Sequence, residues 1–213
     1  MSFFDPIGRD VTSAAAFRGG IVEGANLRTP CGPRRVELVR PGDLVVTRTG
    51  GLMPVRMVWS RTVTQDDMER RPELAPLRIA PRAMGPLMPQ HVLMIAQDHR
   101  ILVPGYRLWG MEKERSFLVS AGELCAGADS VFVDRSRDEV RYYQLVFDTH
   151  QVLQVNGLPV ESFLPEPRDV ARLSAQKRED LIKRYPQLRH EPGAYPPAEF
   201  PVVTGVEYMP FVA

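Results

Sequence analysis

Gly24-Ala-Asn26-Leu-Arg-Thr29-Pro-Cys31-Gly32-Pro-Arg-Arg-Val36-Glu37-Leu38-Val-Arg-Pro41-Gly42-Asp43-Leu44-Val-Val-Thr47 is the stretch whose reading decides the fold. Pro30-Cys31-Gly32-Pro33 reads as a turn, Val36-Glu37-Leu38 as a short strand, Pro41-Gly42-Asp43 as a second turn and Leu44–Thr47 as another strand. Proline presets the backbone for a turn and glycine supplies positive φ, so strand and turn chemistry alternate within two dozen residues. A helix of ordinary length does not fit between such breakers.

The same rhythm continues outward. Thr49-Gly50-Gly51 is a turn, and Val55–Val63 is β-branched and aromatic, as a hairpin arm is. It carries Val55, Met57, Trp59 and Arg61 on one side. Residues 64–75 are polar and read as an exposed loop with one helical turn before Pro72. Short strands are predicted at 77–79, 92–96, 101–103, 117–119 and 131–133. Ser120-Ala-Gly-Glu123 has capping-box spacing and predicts a short helix at 121–126. Residues 140–147 and 151–155 read as two strands joined by a tight Asp148-Thr149-His150 link. Strands at this spacing define an all-β fold. Beyond Pro165 the pattern becomes helical, from a Ser174 N-cap to Tyr185, with Pro186 ending it. Residues 190–213 are a Pro-rich extended tail whose aromatics need a dry surface to lie against. The organisation expected is a flexible leader over 1–19, a β domain over 20–165, and a helix and tail over 166–213 packed on or beside it.

Composition narrows the function. Lys and Arg total 27 against 26 Asp and Glu. That near-balance offers no excess charge to neutralise phosphates, so nucleic acid is not an expected partner. No apolar run reaches the roughly 20 residues of a bilayer span, and the first residues lack the basic-then-apolar form of a signal peptide. A cytoplasmic location is the default expectation, with non-classical export as the alternative. Two Cys, four His and two Asn form a thin reactive inventory. Cys31 and Cys125 have no metal-type spacing, and neither do His91 and Asp98-His99, so no metal and no cofactor is expected. Cys125, in the predicted short helix, reads as core, and His190 as solvated.

Three blocks, in order, resemble the Hint module shared by hedgehog autoprocessing domains and inteins, and in particular the stand-alone bacterial Hint-domain proteins. They are the stretch quoted above, Met94-Ile-Ala96-Gln-Asp98-His99-Arg-Ile-Leu-Val103, and Leu145-Val-Phe147-Asp148-Thr-His150-Gln-Val-Leu-Gln-Val-Asn156-Gly157. The resemblance spans about 24–188. It implies the Hint-type β fold and a chemistry in which the module's first side chain attacks the preceding carbonyl. A Thr-x-x-His block polarises that amide and donates a proton to the departing nitrogen.

Carried over residue by residue, the resemblance puts the nucleophile four positions before Gly24, at Gly20, which has no side chain. His99 keeps the histidine of the second block, but Ala96 stands where the Thr belongs. Asp148, His150 and Asn156 match the third block, while the intein ending of His-Asn followed by Cys, Ser or Thr is absent. The expectation is a Hint domain degenerate for self-cleavage, kept as a scaffold or interaction module for a protein or peptide partner. Two alternatives stand beside it. One is an active domain using Cys31 as a displaced nucleophile with His99, and the other is a cleft that binds a ligand without chemistry. Simpler readings accompany each residue: His99 as a backbone-bonded core histidine, Asp148 and His150 as brackets of a turn, and Asn156-Gly157 as a type I′ turn. If the cleft is intact, His99 and His150 approach one another near Gly20–Gly24.

Overall fold

The computed structural model describes residues 17–85, 88–125, 130–191 and 193–209. Fourteen short strands among them build two antiparallel sheets. β1 (Ile21–Val22), β6 (Met57–Thr64), β7 (Pro76–Ile79), β8 (Leu93–Ala96), β11 (Val131–Val133) and β12 (Glu139–Val146) form one, in the order β11-β7-β8-β1-β12-β6. The other runs β10-β9-β14-β13-β2-β3, made of β2 (Asn26–Thr29), β3 (Gly32–Arg35), β9 (Arg100–Pro104), β10 (Ser116–Ser120), β13 (Val152–Val155) and β14 (Leu158–Glu161). β4 (Leu44–Thr47) pairs with β13 and with β5 (Gly51–Pro54). Leu27, Val45, Leu77, Ile95, Ile101, Leu145, Leu153 and Val160, drawn from both sheets, fill the shared core. A second apolar cluster gathers Trp59, Val63, Tyr142 and Phe163 under Leu181 and Tyr185 of the C-terminal segment.

Five connections among the described strands cross between the sheets, and two of them look like simple strand links in the sequence. The Val55–Val63 arm divides at Val55 and Arg56, whose amides bond to Asp43 and to Val146 of different sheets. The strand therefore begins at Met57, and Trp59, Arg61 and Val63 share its buried face. The Asp148-Thr149-His150 link likewise carries the chain from β12 to β13, which lie in different sheets.

Val36–Leu38 is one 3-10 turn instead of the expected strand. The turn keeps Val36 in the core, bonded to Ala25, and lets the Glu37 carboxylate accept from the Gly24 amide. Residues 121–125 form the expected short helix, wound as 3-10 instead of α. The Ala121 and Gly122 amides go to the His99 and Gln97 carbonyls, and the Glu123 carboxylate accepts from the Val206 amide. Cys125's side chain lies outside what is described. The capping box appears at Thr64 and Asp67, ahead of α1 (Gln65–Arg70), where one helical turn of a loop was expected.

α2 (Pro167–Arg172) and α3 (Ala175–Arg184) follow the last strand, and Ser174 caps α3 as expected. Tyr185 and Tyr195 both donate to the Phe147 carbonyl, at 2.7 and 2.6 Å. The tail runs beside β10, with Leu118 bonded to Pro201 and Val203. It thereby covers backbone groups that an open sheet edge would expose. Residues 1–16 of the expected leader lie outside the described chain. Phe17 is buried between Arg61 and Lys177, whose cations stand 5.2 and 5.4 Å from its ring centre. At least its last three residues, 17–19, are built into the domain.

Candidate functional site

β1 lies between β8 and β12, with Ile21 opposite both Ile95 and Tyr143. That placement fixes the two residues before it, and side chains or backbone claim each polar atom of the Gly19–Gly20 segment. The Gly20 amide donates to His99 Nδ1 at 2.9 Å, and the Gly20 carbonyl accepts from the Ala96 amide at 2.9 Å. Gly19 donates to Asp98 Oδ1 at 3.1 Å, and its carbonyl accepts from Arg61 Nη2 at 3.2 Å. Gln144 Nε2 holds the Arg18 carbonyl at 2.8 Å.

His99 is positioned by its own backbone, which bonds to Ala96 and Ala121. Its ring is fully buried, and burial pushes the imidazole below its usual range against the raising pull of Glu161 and Asp98. A neutral ring whose Nδ1 accepts carries its proton on Nε2.

The backbone at this bond is one that glycine tolerates. Gly19 has φ +69° and Gly20 φ +138°. A Cβ at Gly20 would stand 2.7 Å from the Tyr142 Cβ, and one at Gly19 would stand 2.8 Å from both Gln144 Nε2 and His99 Nδ1. The volume that a side chain at position 20 would need is filled by Tyr142.

Glu161 organises a second cluster behind His99. It ends β14, whose Val160 pairs with Ile101 of β9, so it arrives beside Arg100. Its carboxylate accepts from the Arg100 amide at 3.1 Å, meets the guanidinium at 3.3 Å and stands 3.6 Å from His150 Nε2. Burial alone would raise this carboxyl. The hydrogen bond from His150 and the charge of Arg100 outweigh it and hold Glu161 below the ordinary carboxylate range. His99 and His150 thus converge on one ionised Glu161. The sequence reading missed that carboxylate as a site residue.

The remaining candidates separate from this centre. Asp148 does not pair with His150. It is half-exposed and held by Arg56 and by Arg184 of α3, so it ties the sheet crossover to the helix. Burial would raise the Asp148 carboxyl, and hydrogen bonds from the two arginines hold it low. Asn156 lies at the far end of β13 from His150. With φ +48° beside Gly157 at +84°, it makes the turn into β14. Its Oδ1 accepts from the Asn26 amide at 2.9 Å and its Nδ2 donates to the Val92 carbonyl at 2.8 Å. Cys31 is exposed at the tip of the β2–β3 hairpin, while His99 is wholly buried and its Nδ1 is occupied by Gly20. Among the described residues, no group of three or more His, Cys, Asp or Glu side chains could hold a metal ion. No helix among them is long and apolar enough to cross a membrane.

Two expected results follow from these placements. Asn156→Ala takes both backbone partners from a buried side-chain amide and keeps an unfavourable positive φ, so the chain loses about 2–4 kcal/mol in urea unfolding. Asn156→Gly restores the φ and recovers part of that loss; equal losses would show that the turn conformation contributes nothing. Asp169, buried on α2, is pushed up to about 6 by burial, against Arg18, with Glu166 adding to the rise. A raised folded pKa means the group favours folding most below its unfolded pKa near 3.8, and that benefit is lost as pH rises through 6. Asp169→Asn therefore stabilises the chain by about 1–2 kcal/mol at pH 7, partial solvation screening the rest. The gain shrinks on acidification from pH 6 toward pH 4. A gain that holds constant across that range in thermal melts refutes the assignment.

A search among curated proteins returns no match. The family described as Hint domain matches residues 20–167. That is most of the chain, and the match begins on Gly20 itself. The chain belongs to the Hint domain family. Among solved structures it is similar to the gp41-1 intein, at 12% identity and a TM-score of 0.41, over 67% of this chain and 97% of that one. It is also similar to a bacterial intein-like domain from Clostridium thermocellum, at 17% identity and a TM-score of 0.42, over 68% and 98%.

Proposed function

We propose that this chain is a Hint domain that has lost side-chain-driven self-cleavage and serves as a folded scaffold or interaction module for a protein or peptide partner. One observation carries the reading. The amide of Gly20 is held by His99, as a bond awaiting attack would be, yet Gly20 has no side chain and Tyr142 occupies the space for one. Acyl transfer needs a nucleophile within reach of the carbonyl. Here the Gly19 carbonyl meets Arg61, and the amide meets His99, with no hydroxyl or thiol at position 20. Ala96 offers only its backbone amide where the family's Thr would stand. His99 remains at the bond, while the attacking side chain and the Thr hydroxyl are both missing.

The test is intact-mass analysis of the chain with a tag fused ahead of Met1, incubated with and without thiol or hydroxylamine. An unchanged full-length mass in every condition is the expected result. A fragment beginning at residue 20, or at residue 31 if Cys31 attacks, overturns the reading.

A further inference from the structure

Beyond the Gly19–Gly20 bond lies a cavity of about 440 Å³ walled by Phe17, Arg18, Arg61, Arg71, Asp98 and Arg172, with Glu73, Leu74 and Gln97 completing its rim. Small-molecule sites commonly have volumes of about 300–1,000 Å³. The whole chain carries a net charge of only +1. This one cavity nevertheless collects four guanidinium groups against two carboxylates. Arg18 meets Asp98 and Glu166 at 3.9 Å each, a loose contact. Arg71, at the end of α1, and Arg172, at the end of α2, form no ion pair with any carboxylate among the described residues. Arg61 is 5% exposed; burial pushes its guanidinium below its ordinary value, the Asp98 charge pulls it back up, and like-charged Arg71 adds a smaller lowering. Burying or crowding like charges is costly unless something compensates them. Planar guanidinium forks match the oxygens of carboxylate and phosphate. Phe17 and Leu74 add an apolar wall of modest size.

We propose that this cavity binds a small anion bearing at least two carboxylate or phosphate groups. Arg71 and Arg172 take its charged ends, and Arg61 links the ligand to the Gly19 carbonyl it already holds. This goes beyond the cleavage reading and does not depend on it, because the arginines are in place whether or not the bond is ever cut.

The experiment is isothermal titration calorimetry of the full chain at fixed ionic strength, with pyrophosphate and citrate as probes and acetate as the single-charge comparator. One-to-one saturation by pyrophosphate or citrate is expected with Kd below about 1 mM. The probe that saturates assigns the phosphate or the carboxylate class, and weaker binding of acetate supports the two-group requirement. Arg71→Gln with Arg172→Gln weakens binding at least about tenfold. Arg48→Gln with Arg189→Gln, which removes the same charge from exposed positions elsewhere, leaves it unchanged. The Gly19 and Gly20 amide resonances shift on titration in the wild type. No saturable binding of either probe overturns the proposal. So does equal weakening by the two double variants, since that is diffuse charge attraction without a site.

Discussion

Gly20→Cys places a thiol at the position of the family's nucleophile, and the expected result is an unstable chain that releases no fragment. The new Cβ stands 2.7 Å from the Tyr142 Cβ and 3.1 Å from its Cδ1, with φ at +138°. A side chain forced into sparsely populated backbone costs about 1–3 kcal/mol. Overpacking a filled site costs about 1–3 kcal/mol more. Unfolding in urea should therefore show a loss of about 2–6 kcal/mol, the two costs overlapping little because one is backbone and the other is contact. Trimming Tyr142 to Ala leaves the clashing Cβ in place, so the informative partner is Tyr142→Gly. It opens a cavity and is destabilising alone, but paired with Gly20→Cys it should cost less than the sum of the two. The shortfall measures the clash directly. A Gly20→Cys protein as stable as the wild type, or one yielding a thiol-releasable fragment that ends at Gly19, would refute the claim that this backbone has settled into a form only glycine fits.

Glu161→Leu is expected to be the other most damaging single change, at about 3–5 kcal/mol. The leucine removes the carboxylate that Arg100 meets by both its backbone amide and its guanidinium, in a site where both side chains are at most 6% exposed. A buried cation left without its counter-charge costs more than the pair contributed when intact. Glu166, half-exposed, remains as a partial substitute at 2.7 Å from Arg100. Glu161→Gln keeps the shape and one acceptor, so its loss is smaller. The pH arm separates charge from packing. Glu161 is held below its ordinary value in the fold, so the stability it contributes is present above the unfolded carboxyl pKa of about 4.5 and is lost as pH falls through the folded one. His99 is also held low, so the unfolded imidazole takes a proton below about pH 6.5 while the folded one resists. In an Asp169→Asn background, which removes the opposing gain of that raised carboxyl between about pH 6 and 4, stability should thus fall in two stages, below pH 6.5 and then below pH 4.5, with the second stage blunted by adding Glu161→Gln. A second stage of undiminished size in that variant would mean that Glu161 does not carry it.

Parts of the site were legible because chemistry and spacing coincide in sequence. Gly20 and Ala96 stand out as residues of the wrong type at positions that the three blocks fix, and His99 follows Ala96 at the block's interval. The carboxylate at the centre was harder. Glu161 sits in Leu158-Pro-Val-Glu161-Ser with nothing local to mark it, and it meets Arg100 because β14 pairs with β9, a contact 61 residues long. Arg61 did give a signal: a cation alternating inward with Trp59 and Val63 must find a buried partner, and that partner is the Gly19 carbonyl 42 residues upstream. Asp148 and His150 show the opposite failure. Two residues apart on a straight strand they would face one way, but the chain changes sheets between them, and each found a different partner.

The sequence by itself determined that this is a β protein of many short strands ending in one capped helix, because turn residues, alternation and the Ser174 cap act over a few residues each. It also determined which reactive groups are missing, since a glycine cannot acquire a thiol by folding. Tertiary structure alone decided that Val36–Leu38 turns instead of extending, because Val36 had to enter the core. It decided that His99 and His150 share Glu161, and that Tyr142 closes over Gly20. These outcomes depend on which strands lie side by side, and pairing across tens of residues is fixed by burial and hydrogen bonding throughout the sheet, not by any short stretch within it.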